Sequence, residues 1–190
     1  MVESDFKTLA HEVIETWRNE QTPLNSGATE DELRAFEKRF ALTLPPDSRY
    51  FYSLVNGMKD YESDKYLFSL WPLDWIATEI ERSRSVLEGR DEETSREDKG
   101  NSLCSAIFNL FRGFSFAQKR SRPAKMIRQP LPLCKIEIPF GDFLIDSHRY
   151  MLCQDEEGEF FVHWTGGERL ADSFCHFLQR YLVEPQKIYL

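Results

Sequence analysis

Three adjacent residues, Asp146, Ser147 and His148, are the part of the sequence that most resembles a catalytic set. Serine, histidine and a carboxylate are the groups used in acyl transfer. In a triad the histidine must reach the serine while the acid orients the far imidazole nitrogen, and successive strand residues point to opposite faces. Adjacency therefore argues against catalysis, and we expect no catalytic residues and no enzyme activity.

Two groups of acidic residues, 60–64 and 155–159, lie on predicted loops. Acid–base pairs of the glycosidase kind need a groove and one carboxyl group with a raised pKa, which exposed turns do not provide. They are either solvated turns or the acidic rim of a protein interface with aromatic anchors. On the second interpretation, the predicted partner-binding residues are Asp60, Tyr61, Glu62, Asp64, Trp71, Asp155, Glu156, Glu157 and Trp164.

Possible metal ligands are scattered along the chain. They are Cys104, Cys134, Cys153, Cys175, His11, His148, His163 and His176. They contain no CxxC pair, whereas zinc sites usually group their ligands at short spacings. His148 and His163 could face each other on paired strands, but two ligands do not make a zinc site. We therefore predict no metal and no cofactor, and interpret the cysteines as small core residues.

The elements that must position these residues begin with two helices between residues 29 and 57. Thr29 and Glu32 have the spacing of a capping box, and apolar residues then recur at helical spacing. Pro45 and Pro46 end the first helix and start the second, and Gly57 supplies a left-handed residue after it. An earlier amphipathic pattern over residues 6–17 predicts a flanking helix.

The remaining pattern begins with a strand over residues 66–71 and a helix from a cap at Asp74 to Gly89. From Lys135 the period becomes that of strands, which predicts an antiparallel meander with separate strands at its start. Asp172 or Ser173 can cap a last helix. This order excludes a doubly wound parallel sheet and predicts an α+β fold with a mainly antiparallel (mixed) sheet, N-terminal helices and a C-terminal helix.

Residues 90–134 interrupt this pattern. Residues 90–102 have almost no apolar side chain, and residues 119–128 form a basic run in an acidic protein. We interpret 90–134 as a charged and basic insert, solvated or mobile, within a single domain spanning residues 1–190.

The charge balance limits the partners. With 24 basic and 32 acidic residues, the formal charge is −8, so nucleic acid would be repelled and a cationic protein partner is favoured. The charged N-terminus resembles neither a signal peptide nor an anchor, and no apolar run could span a bilayer. We expect a cytoplasmic protein that binds no membrane and is a monomer or weak homodimer.

Two blocks of the sequence resemble one known family. The first contains Phe36-Glu37, a Leu-Pro-Pro-Asp break at residues 44–47 and Asn56-Gly57, and the second covers residues 138–147 and 171–174. Together they are similar to the SUKH superfamily, the Smi/Knr type of domain, over about half the chain. The matching motif residues, Glu37, Leu44, Pro45, Asn56, Gly57, Asp172 and Ser173, are assigned structural roles.

The resemblance implies a binding function. SUKH domains serve largely as bacterial immunity proteins that neutralise a cognate toxin, while eukaryotic members act as regulatory interaction domains. We therefore expect a protein that occludes a toxin domain, a basic nuclease-like one. The alternative is an intracellular adaptor or scaffold in cell-wall or signalling regulation, and an enzyme assembled from distant positions is the third hypothesis.

Overall fold

The computed structural model describes residues 3–60, 62–93, 134–143, 148–165 and 169–185. In chain order its elements are α1 (Glu3–Asn19), α2 (Glu30–Phe40), α3 (Pro46–Leu54), β1 (Phe68–Leu70), α4 (Leu73–Glu93), β2 (Ile136–Phe143), β3 (His148–Gln154), β4 (Phe160–Trp164), β5 (Arg169–Ala171) and α5 (Phe174–Val183). The predicted α+β class, with N-terminal helices and a C-terminal helix, is confirmed.

The described strands form one antiparallel sheet in the order β1-β2-β3-β4-β5. The prediction of separate strands at its start is wrong, because β2 is continuous and shifts register between Pro139 and Gly141. Proline cannot donate to the ladder, which favours an irregularity there. Gly141 also allows β1 to approach closely, since a Cβ at this position would lie 2.5 Å from the Ser69 carbonyl oxygen.

An aromatic core lies between the helices and one face of the sheet. Trp17 of α1 packs edge-on against Tyr181 of α5, with ring centroids 5.8 Å apart. Phe68 of β1 contacts both Tyr181, at 5.6 Å, and Phe177, at 5.9 Å. Because each buried aromatic side chain stabilises the fold by roughly 1.5–3 kcal/mol, this cluster holds the first and last helices on the sheet.

The predicted capping box is confirmed. The Thr29 hydroxyl accepts from the Glu32 amide at 3.3 Å, and the Glu32 carboxylate accepts from the Thr29 amide at 2.7 Å. Pro46 is the first residue of α3, as the two-proline break predicts. The two helices therefore begin where the sequence indicates.

Asn56 and Gly57 fix the start of α4. The Asn56 side-chain oxygen accepts from the Leu73 amide at 2.9 Å, so α4 begins one residue before Asp74 and this aspartate is not its cap. Gly57 has a φ of 75°, as predicted, and a Cβ there would lie 2.4 Å from the Pro72 nitrogen. The predicted end at Gly89 is also wrong, because α4 continues to Glu93.

Part of the predicted insert belongs to the folded structure. Residues 90–93 form the last turn of α4, and Cys134 is buried at the entry to β2. The predictions for residues 94–133, and those for Tyr61, Asp146 and Ser147, lie outside the described residues. Within the described chain, no helix has the length and apolar character needed to cross a bilayer.

Candidate partner-binding surface

The segment before β1, residues 59–67, is the strongest candidate for a binding surface and is called the 59–67 loop below. At its start, the Lys59 amide donates to the Pro23 carbonyl at 2.9 Å. Near its end, the Leu67 amide donates to the Asp64 carbonyl, also at 2.9 Å. The loop is therefore held by backbone hydrogen bonds at both ends.

Asp64 fixes this loop from beneath. Its carboxylate accepts from the amides of Tyr66, at 2.8 Å, and Phe68, at 2.9 Å, and from the hydroxyl of Tyr181. The Tyr181 hydroxyl accepts in turn from the indole N–H of Trp17 at 2.7 Å. Burial raises the pKa of Asp64 and that of Tyr181. Only 3% of Asp64 is exposed, so its predicted role as a surface contact is corrected to that of an internal anchor.

The loop presents an apolar side chain in an unfavourable backbone conformation. Leu67 has a φ of 65° and is 47% exposed. Left-handed backbone costs a residue with a Cβ about 1–2 kcal/mol, and such strain is concentrated at functional sites. Asp60 is also left-handed, with a φ of 48°, and both Asp60 and Glu62 are exposed. The loop thus combines a fixed exposed leucine with two carboxylates.

The rim of the loop is tied to the neighbouring helices. The Lys65 ammonium lies 2.7 Å from a carboxylate oxygen of Glu20, just after α1, and 4.8 Å from the centre of the Tyr66 ring. Tyr66 meets the Tyr181 ring edge-on at 6.5 Å. Val183, two residues after Tyr181, is 73% exposed. Leu67 and Val183 are the large apolar side chains exposed in the described chain. In the sequence, Leu67 comes three residues after Asp64 and Val183 comes two residues after Tyr181.

The second acidic group forms the turn between β3 and β4. The Asp155 carboxylate accepts from the Glu159 amide at 2.8 Å, so Asp155 stabilises the turn, while Glu156 and Glu157 are exposed. This turn follows Gln154, which pairs with the first residue of β2, whereas Phe68 after the 59–67 loop pairs with the last. The two acidic groups therefore lie at opposite ends of the sheet and do not form one patch.

The two predicted tryptophan anchors have different positions. Trp71 is 1% exposed, stacks on Trp75 with centroids 5.5 Å apart and lies beneath the Arg149 guanidinium, also at 5.5 Å. Its predicted surface role is therefore corrected to a core role. Trp164 is half-buried and stacks on His148 at 4.5 Å.

The motif residues have structural contacts. Glu37 accepts from the Leu44 amide at 3.1 Å and so fixes the chain between α2 and α3. Ser173 caps α5 by accepting from the His176 amide at 3.0 Å. Asp172 remains exposed and pairs with Arg169 at 3.0 Å. Of the two predicted caps, Ser173 is thus the one observed. Pro45 is the N-cap residue of α3, and Asn56 and Gly57 contact the residues at the start of α4, as described above.

A groove near the end of α1 has no pair of acidic and basic side chains that could exchange a proton among the described residues of its lining. The groove has a volume of about 390 Å³ and is lined by the end of α1, the segment after it and the end of α3. Arg18 is the one titratable residue in its lining. His148, the histidine of the Asp-Ser-His run in the sequence, does not line this groove. It contacts the aromatic rings of Phe143 and Trp164, and burial lowers its pKa. The groove therefore offers a shape but no proton donor or acceptor pair.

Sequence reasoning missed one group of residues. His148 and His163, which the sequence would allow to face each other, do not, because the register places His163 opposite Met151. His163 instead lies with Cys134, Glu137 and Cys153, whose potential ligand atoms are all within 4.8 Å of one another. Alternation along β3 and β4 could have placed Cys153 and His163 on one sheet face, but their partners depend on the strand register.

A comparison with family models matches residues 27–180 to the SMI1 / KNR4 family (SUKH-1). The match contains both sequence blocks and most of the described structure. A search of curated proteins found no match.

Proposed function

Because this chain belongs to the SMI1/KNR4 (SUKH-1) family, we propose that it is a non-enzymatic binding protein that neutralises a cognate toxin by covering its active surface. One observation carries the proposal. Leu67 is 47% exposed, and the buried Asp64 carboxylate accepts from the amides of Tyr66 and Phe68 on either side of it, so its backbone is held in a fixed position. Rigid apolar groups surrounded by polar ones are typical of the centre of a protein interface.

Preorganisation is the physical advantage of this arrangement. A loop that becomes ordered only on binding loses conformational entropy, which weakens the complex. Here the hydrogen bonds to Asp64 fix the backbone of Tyr66 and Phe68 on either side of Leu67 before any partner arrives. The strain at Leu67 is offset by the same contacts. The loop can therefore present its leucine without a further ordering cost.

Charge supports a basic partner. The chain carries a formal charge of −8, and the exposed carboxylates of Asp60 and Glu62 lie in the same loop as Leu67. Acidic groups at the rim of an interface attract a basic domain and increase its association rate, an effect that salt weakens. A nuclease domain that binds phosphates has the complementary charge. The neutralised toxin is therefore proposed to be basic.

The experiment first tests whether a gene beside this one encodes a basic toxin domain that copurifies with this chain, and then measures the binding of that domain. Wild-type protein is compared with Leu67→Asp and with a double variant, Asp60→Lys with Glu62→Lys. The matched control is Glu156→Lys with Glu157→Lys, which makes the same charge change at the other end of the sheet. We expect the loop variants to weaken binding at least about tenfold, equivalent to 1.4 kcal/mol, and the control to bind like wild type.

Two results would overturn the proposal. Equal loss of binding in the control variant would show that net charge, and not the 59–67 loop, determines affinity. Toxin released from the complex in a chemically modified, permanently inactive form would indicate an enzyme instead of an occluding protein. Recovery of a cell-wall or signalling complex with no toxin would instead support the adaptor function.

A further inference from the structure

We propose that Cys134, Glu137, Cys153 and His163, called the thiol–histidine cluster below, form a binding site for a zinc ion. Their potential ligand atoms all lie within 4.8 Å of one another. In a tetrahedral site with zinc–ligand bonds of about 2.0–2.3 Å, neighbouring ligand atoms are roughly 3.3–3.8 Å apart. The ligand atoms would therefore have to approach one another by at most about 1.0–1.5 Å to complete the coordination, a distance that side-chain rotation can supply.

The strand register places three of these residues on one face of the sheet. Glu137 of β2 is directly opposite Cys153 of β3. His163 of β4 is opposite Met151, two residues before Cys153, and so lies on the same face. This face is opposite the one that carries Tyr150 into the aromatic core. Cys134, immediately before β2, supplies the fourth group.

His163 provides an independent indication of a ligand. Its Nδ1 is 2.9 Å from the Trp164 carbonyl oxygen, which only an N–H can satisfy, so in the neutral imidazole Nε2 carries the lone pair. This Nε2 is buried and makes no hydrogen bond within the described part of the chain. The nearest Glu137 oxygen is 3.7 Å away, beyond hydrogen-bond distance. A histidine that donates one nitrogen to a carbonyl and presents the other is the usual arrangement of a zinc ligand.

The surroundings favour a closed structural site. Cys134, Met151, Cys153 and Phe161 form a small buried cluster separate from the main core. An unsatisfied imidazole nitrogen in such an apolar setting is costly, and coordination would remove that cost. Two sulfur ligands select a thiophilic ion, and four protein ligands leave no position for a reacting water. The ion would therefore hold β2, β3 and β4 together on the sheet face away from the aromatic core.

The test uses the reduced full-length chain, stripped of metal with a chelator and then titrated with zinc chloride or cobalt chloride. Native mass spectrometry is expected to give one zinc ion per chain. Cobalt is expected to produce the visible bands of tetrahedral coordination and a near-ultraviolet thiolate charge-transfer band. Cys153→Ser and His163→Gln should lower zinc affinity at least about tenfold. Cys175→Ser, which alters a buried cysteine outside the cluster, should retain wild-type affinity.

Several results would overturn the proposal. They are a reduced wild-type chain that takes up no metal, a cobalt complex without the thiolate band, and equal loss of affinity in the Cys175→Ser control. A Cys134–Cys153 disulfide that persists in the reduced preparation would exclude the site as well. Because the cobalt spectrum is recorded on wild-type protein, it decides the question even if a cluster variant fails to fold. Toxin binding is not part of this test, so its result is independent of the proposed function.

Discussion

The carboxylate of Asp47 accepts a hydrogen bond of 2.8 Å from the backbone amide of Cys175, 128 residues later in the chain. Asp47 ends the Leu-Pro-Pro-Asp motif, and Cys175 lies in the first turn of α5. The amides of a first helical turn have no partner within the helix, and the positive end of the helix dipole favours a carboxylate there. One side chain thus joins the N-terminal motif to the C-terminal helix.

Replacing Asp47 with alanine is expected to lower the free energy of unfolding by about 1–2 kcal/mol, because the Cys175 amide loses its acceptor. Asp47→Asn keeps an acceptor oxygen at the same position and should cost less than half as much. Urea denaturation of both variants measures the difference. If the asparagine variant were as destabilised as the alanine variant, the hydrogen bond would not be the stabilising contact.

The second prediction concerns pH. Burial raises the pKa of Asp64 above its value in the unfolded chain, so the folded state holds this proton more tightly. The resulting stabilisation is fully present below the unfolded pKa of about 3.9 and is lost as pH rises through the folded pKa. Asp64→Asn removes this titration. As pH rises above about 4, the unfolding free energy of the Asp64→Asn variant should therefore fall less than that of wild type.

The control for this measurement is Asp60→Asn, which alters an exposed aspartate in the same loop and should keep the wild-type pH profile. Burial also raises the pKa of Asp47, and that contribution has the same sign and remains in both variants. Denaturation at a series of pH values isolates the Asp64 contribution by subtraction. Parallel profiles for wild type and Asp64→Asn would contradict the prediction.

Two glycines provide a matched pair for the third prediction. Gly57 and Gly158 both have left-handed backbone, with φ of 75° and 91°. A Cβ at Gly57 would lie 2.4 Å from the backbone of Pro72, whereas one at Gly158 would meet only the Gln154 side chain at 3.8 Å. Gly158→Ala should therefore cost about 1–2 kcal/mol and Gly57→Ala about 3 kcal/mol or more. Thermal unfolding of the two variants tests this, and similar costs would refute the close-approach explanation.

How well this fold can be predicted from sequence depends on how far apart in the chain the contacting residues are. The capping box at Thr29 and the left-handed Gly57 are set by neighbouring residues, so sequence spacing was enough to predict them. The start of α4 was mispredicted because its first amide bonds to Asn56, 17 residues earlier. A cap at Asp74 satisfied the local rule, but tertiary structure supplied a different acceptor.

The candidate sites show the same limit more strongly. Asp64 lies in an acidic segment that is typical of a surface loop. It is buried because it pairs with Tyr181, which is 117 positions away in the chain. The thiol–histidine cluster depends on the register of three strands, which hydrophobic alternation specifies only as a choice of face. Local patterns therefore identified the acidic loop but not which of its carboxylates is buried.

The last prediction separates strain from binding at Leu67. Asparagine adopts left-handed backbone more readily than leucine, so Leu67→Asn should leave the unfolding free energy unchanged or raise it by up to about 1 kcal/mol. The same change removes an apolar contact and should weaken the proposed complex. Val183→Asn is the matched control, because it also replaces an exposed apolar side chain but its backbone φ is not positive. It should not raise stability. Urea denaturation and calorimetric titration with the toxin domain together measure both effects. A Leu67→Asn protein that is clearly less stable than wild type would show that this leucine contributes to folding and is not strained for binding.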